Sequence, residues 1–372
     1  MSFNPAFGLD CFWFIEHVMV KFIRRDNFDL IRLVAASLVL VGHAYLLMGE
    51  QIPRFLGIEI SVFGVMIFFC ISGYLVTDSW IRDPSALRYF TRRSLRIFPA
   101  LIPLVLLTTF LLGPALTTLS ILEYFSNNQT YAYLLNIFLD TQYFLPEVFK
   151  NNSQLLRVNG SLWTLPVEFL MYCLVPLLAF FQGRKNFIVF FSLSVLFSLA
   201  YTHYGMDAQR EQFLGDTALT IIRSPRVCMF FMAGAAIRFT LEDKDIPQIG
   251  WATISFSITV FCYYLTPVNL YFFNALLAFS LALFVNAIGE SANLCFFKFR
   301  KTGDLSYGIY LYAFPIQQII SQFFINQISV LTAIMLATIP TVCFAYASWH
   351  LIEKRAIALK PKSFKHQFNF SQ

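Results

Sequence analysis

A chain of 372 residues that is 58% hydrophobic and only 13% charged, with a mean hydropathy of +0.64, carries too little polar surface for a soluble domain. It reads as an all-α, polytopic integral membrane protein. The net charge of +6 would suit nucleic acid, but the basic residues are spread over short loops with no aromatic-interleaved patch, so the expected partner is the lipid bilayer and no nucleic acid. Seven cysteines (Cys11, Cys70, Cys173, Cys228, Cys262, Cys295, Cys343) are scattered mostly through apolar segments without zinc-type spacing, so they read as small buried hydrophobes and no metal is expected.

In chain order, the N-terminal stretch CFWFIEHVMVKFI is interrupted by Glu16, His17 and Lys21 and has no cleavage site, which predicts an amphipathic helix on the membrane surface. Ten apolar windows of spanning length follow, near 30–48, 57–77, 97–117, 162–181, 186–204, 225–240, 249–265, 269–288, 305–325 and 328–350. Threading ten spans puts every basic cluster on one side: Lys21, Arg24 and Arg25, then Arg82 to Arg96, Arg184 and Lys185, Arg238 and Lys244, Lys298 to Lys301, and Arg355 to Lys365. The positive-inside rule makes that side the cytoplasm and predicts both termini there. The expected divisions are a cytoplasmic segment 1–29, a transmembrane domain 30–353 and a basic tail 354–372. Two larger loops, near 118–161 and 205–224, fall on the opposite side, and YAYLLNIFLD within the first is too short to span.

Five polar features stand out against this background. Arg32 and His43 lie eleven positions apart on one helical stripe, about 16 Å along the axis, which sets an imidazole deep in the bilayer. In FFCISGYLVTDSW, Ser72 and Gly73 permit close helix approach, with Ser72 and Tyr74 as candidate substrate contacts. In RRSLRIFPA, Arg92, Arg93 and Arg96 mark topology and suit phosphate recognition by guanidinium forks. In NGSLWTLPVEFLMY, Trp163 is expected near the outer interface and Glu168 within the membrane at the depth of His43, where a carboxylate could orient the imidazole. In LSYGIYLYAFPIQQ, Tyr307, Tyr310, Gln317 and Gln318 form a hydroxyl and amide stripe before and after Pro315.

Taken in this order, the five motifs resemble the acyltransferase-3 family of bacterial membrane O-acyltransferases, and SWHLIEK at 348–354 adds a weaker match. The resemblance implies a ten-helix domain in the bacterial inner membrane. Such a domain moves an acyl group, usually acetyl, from cytoplasmic acyl-coenzyme A to a hydroxyl of a cell-envelope carbohydrate or lipid-linked glycan. It implies that His43 is the essential histidine, Arg32 its paired arginine, and Arg92, Arg93 and Arg96 the donor-binding arginines. Many members carry a second histidine two residues before the proline of the ninth span, where this chain has Ala313. No appended esterase-like domain is expected, and a homo-oligomer is compatible with the sequence.

The expected mechanism holds the donor phosphates at Arg92, Arg93 and Arg96, with Arg32 guiding the pantetheine arm. His43, oriented by Glu168, then takes the acceptor's proton or carries the acyl group itself. The rival reading is a transporter or flippase of an envelope lipid, glycan or acyl group, in which His43 and Glu168 form a proton relay.

Overall fold

The computed structural model describes residues 6–150, 152, 156–179, 189, 192, 193, 196, 216–241, 249–265, 270–291 and 303–361. The span expected at 186–204 falls almost wholly outside the described residues. So do Arg184, Lys185, Lys244, Lys298, Arg300, Lys301, Lys362, Lys365 and most of the loop expected at 205–224.

The described elements are helices with one two-residue hairpin, Arg54–Phe55 against Ile58–Glu59. The principal helices are α1 (Ala6–Leu47), α2 (Ile60–Arg82), α3 (Ala86–Leu107), α4 (Ile121–Ser126), α5 (Asn128–Ala132), α6 (Thr164–Leu178), α7 (Asp216–Leu241), α8 (Ile249–Leu265), α9 (Leu270–Glu290), α10 (Ser306–Phe324), α11 (Val330–Ser348) and α12 (Lys354–Ala358), with α3 continued through a π-helical turn, Thr108–Leu112, into Gly113–Leu116. Five described stretches are long and apolar enough to cross a membrane: Asn27–Leu47, Ile60–Arg82, Ala86–Leu116, Phe273–Glu290 and Val330–Ala358. The N-terminal stretch is not a separate surface helix, because α1 runs unbroken from Ala6 to Leu47.

One stripe of α11, Leu331, Met335, Leu336, Ile339, Val342 and Tyr346, is exposed at helical spacing. Large apolar side chains left outward at that period form a face for lipid. Cys343 is exposed on the same helix, while Cys70 and Cys228 are buried as expected.

Small residues set the core. A side chain at Gly73 would collide with the Phe231 carbonyl of α7, and one at Gly234 with the Cys70 carbonyl of α2, so the two backbones touch. α1 packs antiparallel to α2: a Cβ at Gly42 would stand 2.7 Å from that of Ser61, and one at Gly64 2.6 Å from the Ala35 carbonyl. α10 runs parallel to α1, with Gln317 and Ser321 donating to the carbonyls of Leu40 and Leu47 at 2.8 and 2.7 Å. Close contact of Gly308 with Ala345 brings α11 alongside.

The stretch before α6 explains its depth. Val158, Asn159, Ser161 and Leu162 are buried although their backbone is not helical. Irregular backbone survives there only if its polar groups find partners inside the protein. Asn159 donates to the Leu311 carbonyl at 2.9 Å, its Oδ1 accepts from Ser161 N at 3.0 Å, and Tyr310 donates to the Ser161 carbonyl at 2.8 Å. Nearby, Asn152 donates to Gln318 Oε1 at 2.5 Å, and Gln318 donates to the Arg157 carbonyl at 2.6 Å. The stretch therefore descends along α10, and α6 starts inside the bundle.

Candidate active site

A cavity opens at the arginine end of the bundle, where α1, α2, α3, α6 and α10 converge. Its space, counting the open mouth, is about 770 Å³. Of the residues singled out from sequence, Arg32, Ser72, Arg93, Arg96, Glu168, Tyr307 and Tyr310 line it. His43, Tyr74, Arg92 and Trp163 do not.

Each exclusion has a geometric cause. Tyr74 is two residues from Ser72, hence about 200° around α2, and it stacks on Phe28 with ring centroids 6.3 Å apart. Trp163 is half-buried at the residue before α6, within the bundle, and is not the outer-interface residue expected. Arg92 is turned to Asp83 and to the Pro361 carbonyl at 3.4 Å. His43 lies farther along α1, edge-on to Phe314 at 5.0 Å between centroids.

The pairing expected between Glu168 and His43 is not made. Glu168 Oε1 accepts from Ser72 Oγ at 2.9 Å and from Tyr172 OH at 2.5 Å. Eleven residues of α2 separate Ser72 from Ser61, which marks the level of Gly42 and His43. The carboxylate therefore sits about 16 Å along the helix from the imidazole, near the depth of Arg32. Counting inward from a surface start misplaced it, since α6 has no surface start. The Nδ1 of His43 is buried without a hydrogen-bond partner among the described residues.

At the mouth the guanidiniums are already engaged. Arg96 bonds Asp304 at 2.6 Å, and Arg32 reaches the same carboxylate at 3.5 Å while bonding Asp29 at 2.9 Å. Asp304 also accepts from Ser306 N and Oγ at 3.2 and 2.5 Å. Burial alone would push the Asp304 carboxyl up, but Arg96 and Arg32 beside it outweigh that and hold it below its ordinary value. Asp83 forms the second hub, bonding Arg88 at 2.5 and 2.9 Å as well as Arg92. The hydrogen bond from Arg88, joined by Arg92, brings its carboxyl down to about 2.

Arg93 differs from these. Its guanidinium lies 6.0 and 5.8 Å from the rings of Tyr89 and Tyr172, and its Nε is buried without a partner. Arg96 stands 5.5 Å over Tyr307, whose hydroxyl donates to the Ile97 carbonyl at 2.9 Å. Farther in, Tyr310 OH lies 2.6 Å from Thr164 Oγ1, and Phe68 meets the Tyr310 ring edge-on at 5.8 Å. Phe314, against His43, is one turn beyond Tyr310 on α10.

Asp83, Tyr172 and Asp304 belong to the site and were not singled out from sequence. The available signal was charge: an acid beside an arginine cluster at a membrane mouth needs a cationic partner.

The acyltransferase domain family (acyltransferase-3) matches residues 25–350. The chain belongs to that family. An O-acetyl transferase of Shigella phage Sf6 is 32% identical over 351 residues, covering 89% of this chain and 96% of the relative. Nodulation protein 10 of Rhizobium leguminosarum bv. viciae is 29% identical over 355 residues, covering 90% and 94%. No solved structure matches. The protein is thus a helical membrane acyltransferase, and the cavity is its candidate active site.

Proposed function

We propose that this acyltransferase moves an acetyl group from cytoplasmic acetyl-coenzyme A to a hydroxyl of a cell-envelope carbohydrate, free or lipid-linked, from within the bacterial inner membrane. The observation that carries the reading is the cavity with arginines at its mouth, Glu168, Ser72 and Tyr172 near the depth of Arg32, and His43 one turn past its inner end. The phage relative's name supports acetyl as the group and oxygen as its destination. Ten spans with both termini cytoplasmic, a transmembrane domain at 30–353 flanked by 1–29 and 354–372, place the arginine end in the cytoplasm, where the donor is made.

In this reading Arg93 and Arg96, with Arg32, take the donor's phosphates by charge-assisted hydrogen bonds. Arg92 sets the Asp83 hub beside them. The pantetheine arm then runs inward past Glu168 and Tyr310, its amides bonding the polar cluster in an otherwise apolar channel. The separation of about 16 Å between the levels of Arg32 and His43 is of the order of that arm. At His43 the acceptor hydroxyl attacks the thioester carbonyl. A carbon–oxygen bond forms, the carbon–sulfur bond breaks, the imidazole takes the hydroxyl proton, and coenzyme A leaves as thiolate to be protonated. Transfer through an acetylated His43 uses the same residues in two steps. Trp163 and Tyr74 act through packing beside the channel rather than on substrate.

The separation of Glu168 from His43 weighs against the proton relay that a transporter would need. The test is thiol release from acetyl-coenzyme A by the purified chain, with acceptor supplied as envelope vesicles from cells lacking the gene. Release that depends on vesicles and on His43 is expected. A chain that binds acetyl-coenzyme A and releases no thiol would overturn the reading.

A further inference from the structure

Two buried polar atoms without partners among the described residues lie on the seam where α1 meets α10. One is His43 Nδ1 and the other Gln317 Oε1. Gln317 is only 4% exposed, and its amide nitrogen donates to the Leu40 carbonyl at 2.8 Å. That bond fixes which way the amide is turned, because a carbonyl accepts only from the NH2 side. The oxygen is left free, and it can only accept.

The two atoms share one level of the bundle. Leu40, which holds Gln317, is three residues before His43 on α1. Phe314, which packs on His43, is three residues before Gln317 on α10. Gln317 also walls a small cavity with Ala44, Leu47, Met48, Ile320 and Ala333, about 180 Å³ counting its open side, at the end of the bundle away from the arginines. A buried amide oxygen with no donor is costly, so its persistence points to a ligand that completes it.

We propose that Gln317 is an acceptor-binding residue: its Oε1 takes a hydrogen bond from one hydroxyl of the incoming carbohydrate while a neighbouring hydroxyl of the same ring addresses His43. The ligand class follows from the chemistry. An acceptor-only group recognises an O–H or N–H donor, not the thioester carbonyl or a phosphate. The pantetheine arm carries N–H donors too, but it enters from the arginine end, whereas Gln317 walls the cavity at the opposite end, and a polyol arriving there presents two hydroxyls on adjacent carbons. Gln317 therefore serves the acceptor half of the reaction and leaves the donor half untouched. The assignment rests on the acyl-transfer reading above.

The test compares half-saturation for the two substrates in the full-length chain, with acetyl-coenzyme A as one and the envelope vesicles as the other. Gln317→Met removes both amide functions at similar size, and Gln317→Asn withdraws the oxygen by one methylene. Either is expected to raise the vesicle amount at half-saturation about tenfold, the loss of one hydrogen bond, with acetyl-coenzyme A half-saturation unmoved within twofold. Gln317→Glu, which keeps an acceptor oxygen in place, is expected to restore most of the vesicle response. An unchanged vesicle response in both variants would overturn the assignment, as would equal shifts for donor and acceptor, the pattern of a merely structural residue. If the unsubstituted chain turns over and Gln317→Met behaves like it, only this assignment falls. If the unsubstituted chain releases no thiol, the acyl-transfer reading falls first.

Discussion

Two regions of the bundle, the arginine mouth and the seam of α1 with α10, solve opposite problems. At the mouth, four arginines are tied to two buried aspartates: Arg88 and Arg92 to Asp83, Arg32 and Arg96 to Asp304. On the inner seam, His43 and Gln317 keep polar atoms unpaired among apolar neighbours. In the proposed reaction the mouth must hold its shape without donor, and half-buried guanidiniums crowded together need counter-charges to do so. In that proposed reaction the seam leaves an imidazole open to a hydroxyl, and an oriented partner there would compete with substrate. Arg93 apart, the mouth neutralises its charges in advance, while the seam leaves neutral polar atoms without partners among the described residues.

The contrast can be broken by substitution. His43→Ala is expected to lower transfer 10² to 10⁴-fold, the range for general-base assistance, with the melting temperature little changed, measured by thiol release and thermal unfolding of the same preparation. Asp304→Asn should reverse that pattern. Leaving Arg96 and Arg32 without their shared carboxylate is expected to cost about 3–5 kcal/mol of stability, read by thermal unfolding in detergent. A variant as stable as the parent would show that Asp304 is not the hub of the mouth.

Smaller effects separate donor contacts from scaffold. Arg93→Ala is expected to raise the acetyl-coenzyme A half-saturation about tenfold or more, with the vesicle response unaltered, since Arg93 lines the cavity and, among the described residues, pairs with no carboxylate. Arg92→Ala, outside the cavity wall, should act mainly on stability. The smallest effect is in acid. The Asp83 carboxyl sits at about 2 in the fold against an ordinary 3.8, so the unfolded chain takes up the proton first. The stabilisation is full above about pH 4 and lost as pH falls toward 2. Asp83→Asn should flatten that part of the melting-temperature profile, and an unaltered slope would remove Asp83 from the account.

Much of this was legible in the sequence. Arg32, Ser72, Arg93, Arg96, Glu168, Tyr307 and Tyr310 reach one cavity because each stands on a helix whose period and apolar flanks are plain. Asp304 was not legible, since its tie to Arg96 crosses 208 residues and an acid just before a helix looks like a local feature. The depth of Glu168 was misread for a different reason: counting spans assumes that every helix starts at an interface. Tyr74 was grouped with Ser72 by adjacency in a motif, although helix rotation turns the two apart.

The late start of α6 bears on how the chain is made. Fifteen residues at 1.5 Å each extend about 22 Å, short of the roughly 30 Å hydrocarbon core, so Thr164–Leu178 cannot settle in a bilayer unaided. The missing length is supplied by Asn159 to Trp163, whose anchor, the Leu311 carbonyl, is 152 residues farther on. During synthesis this crossing must therefore wait, incompletely seated, until α10 emerges. Truncation before residue 306 should leave it exposed to membrane quality-control proteases, whereas truncation after α10 should not.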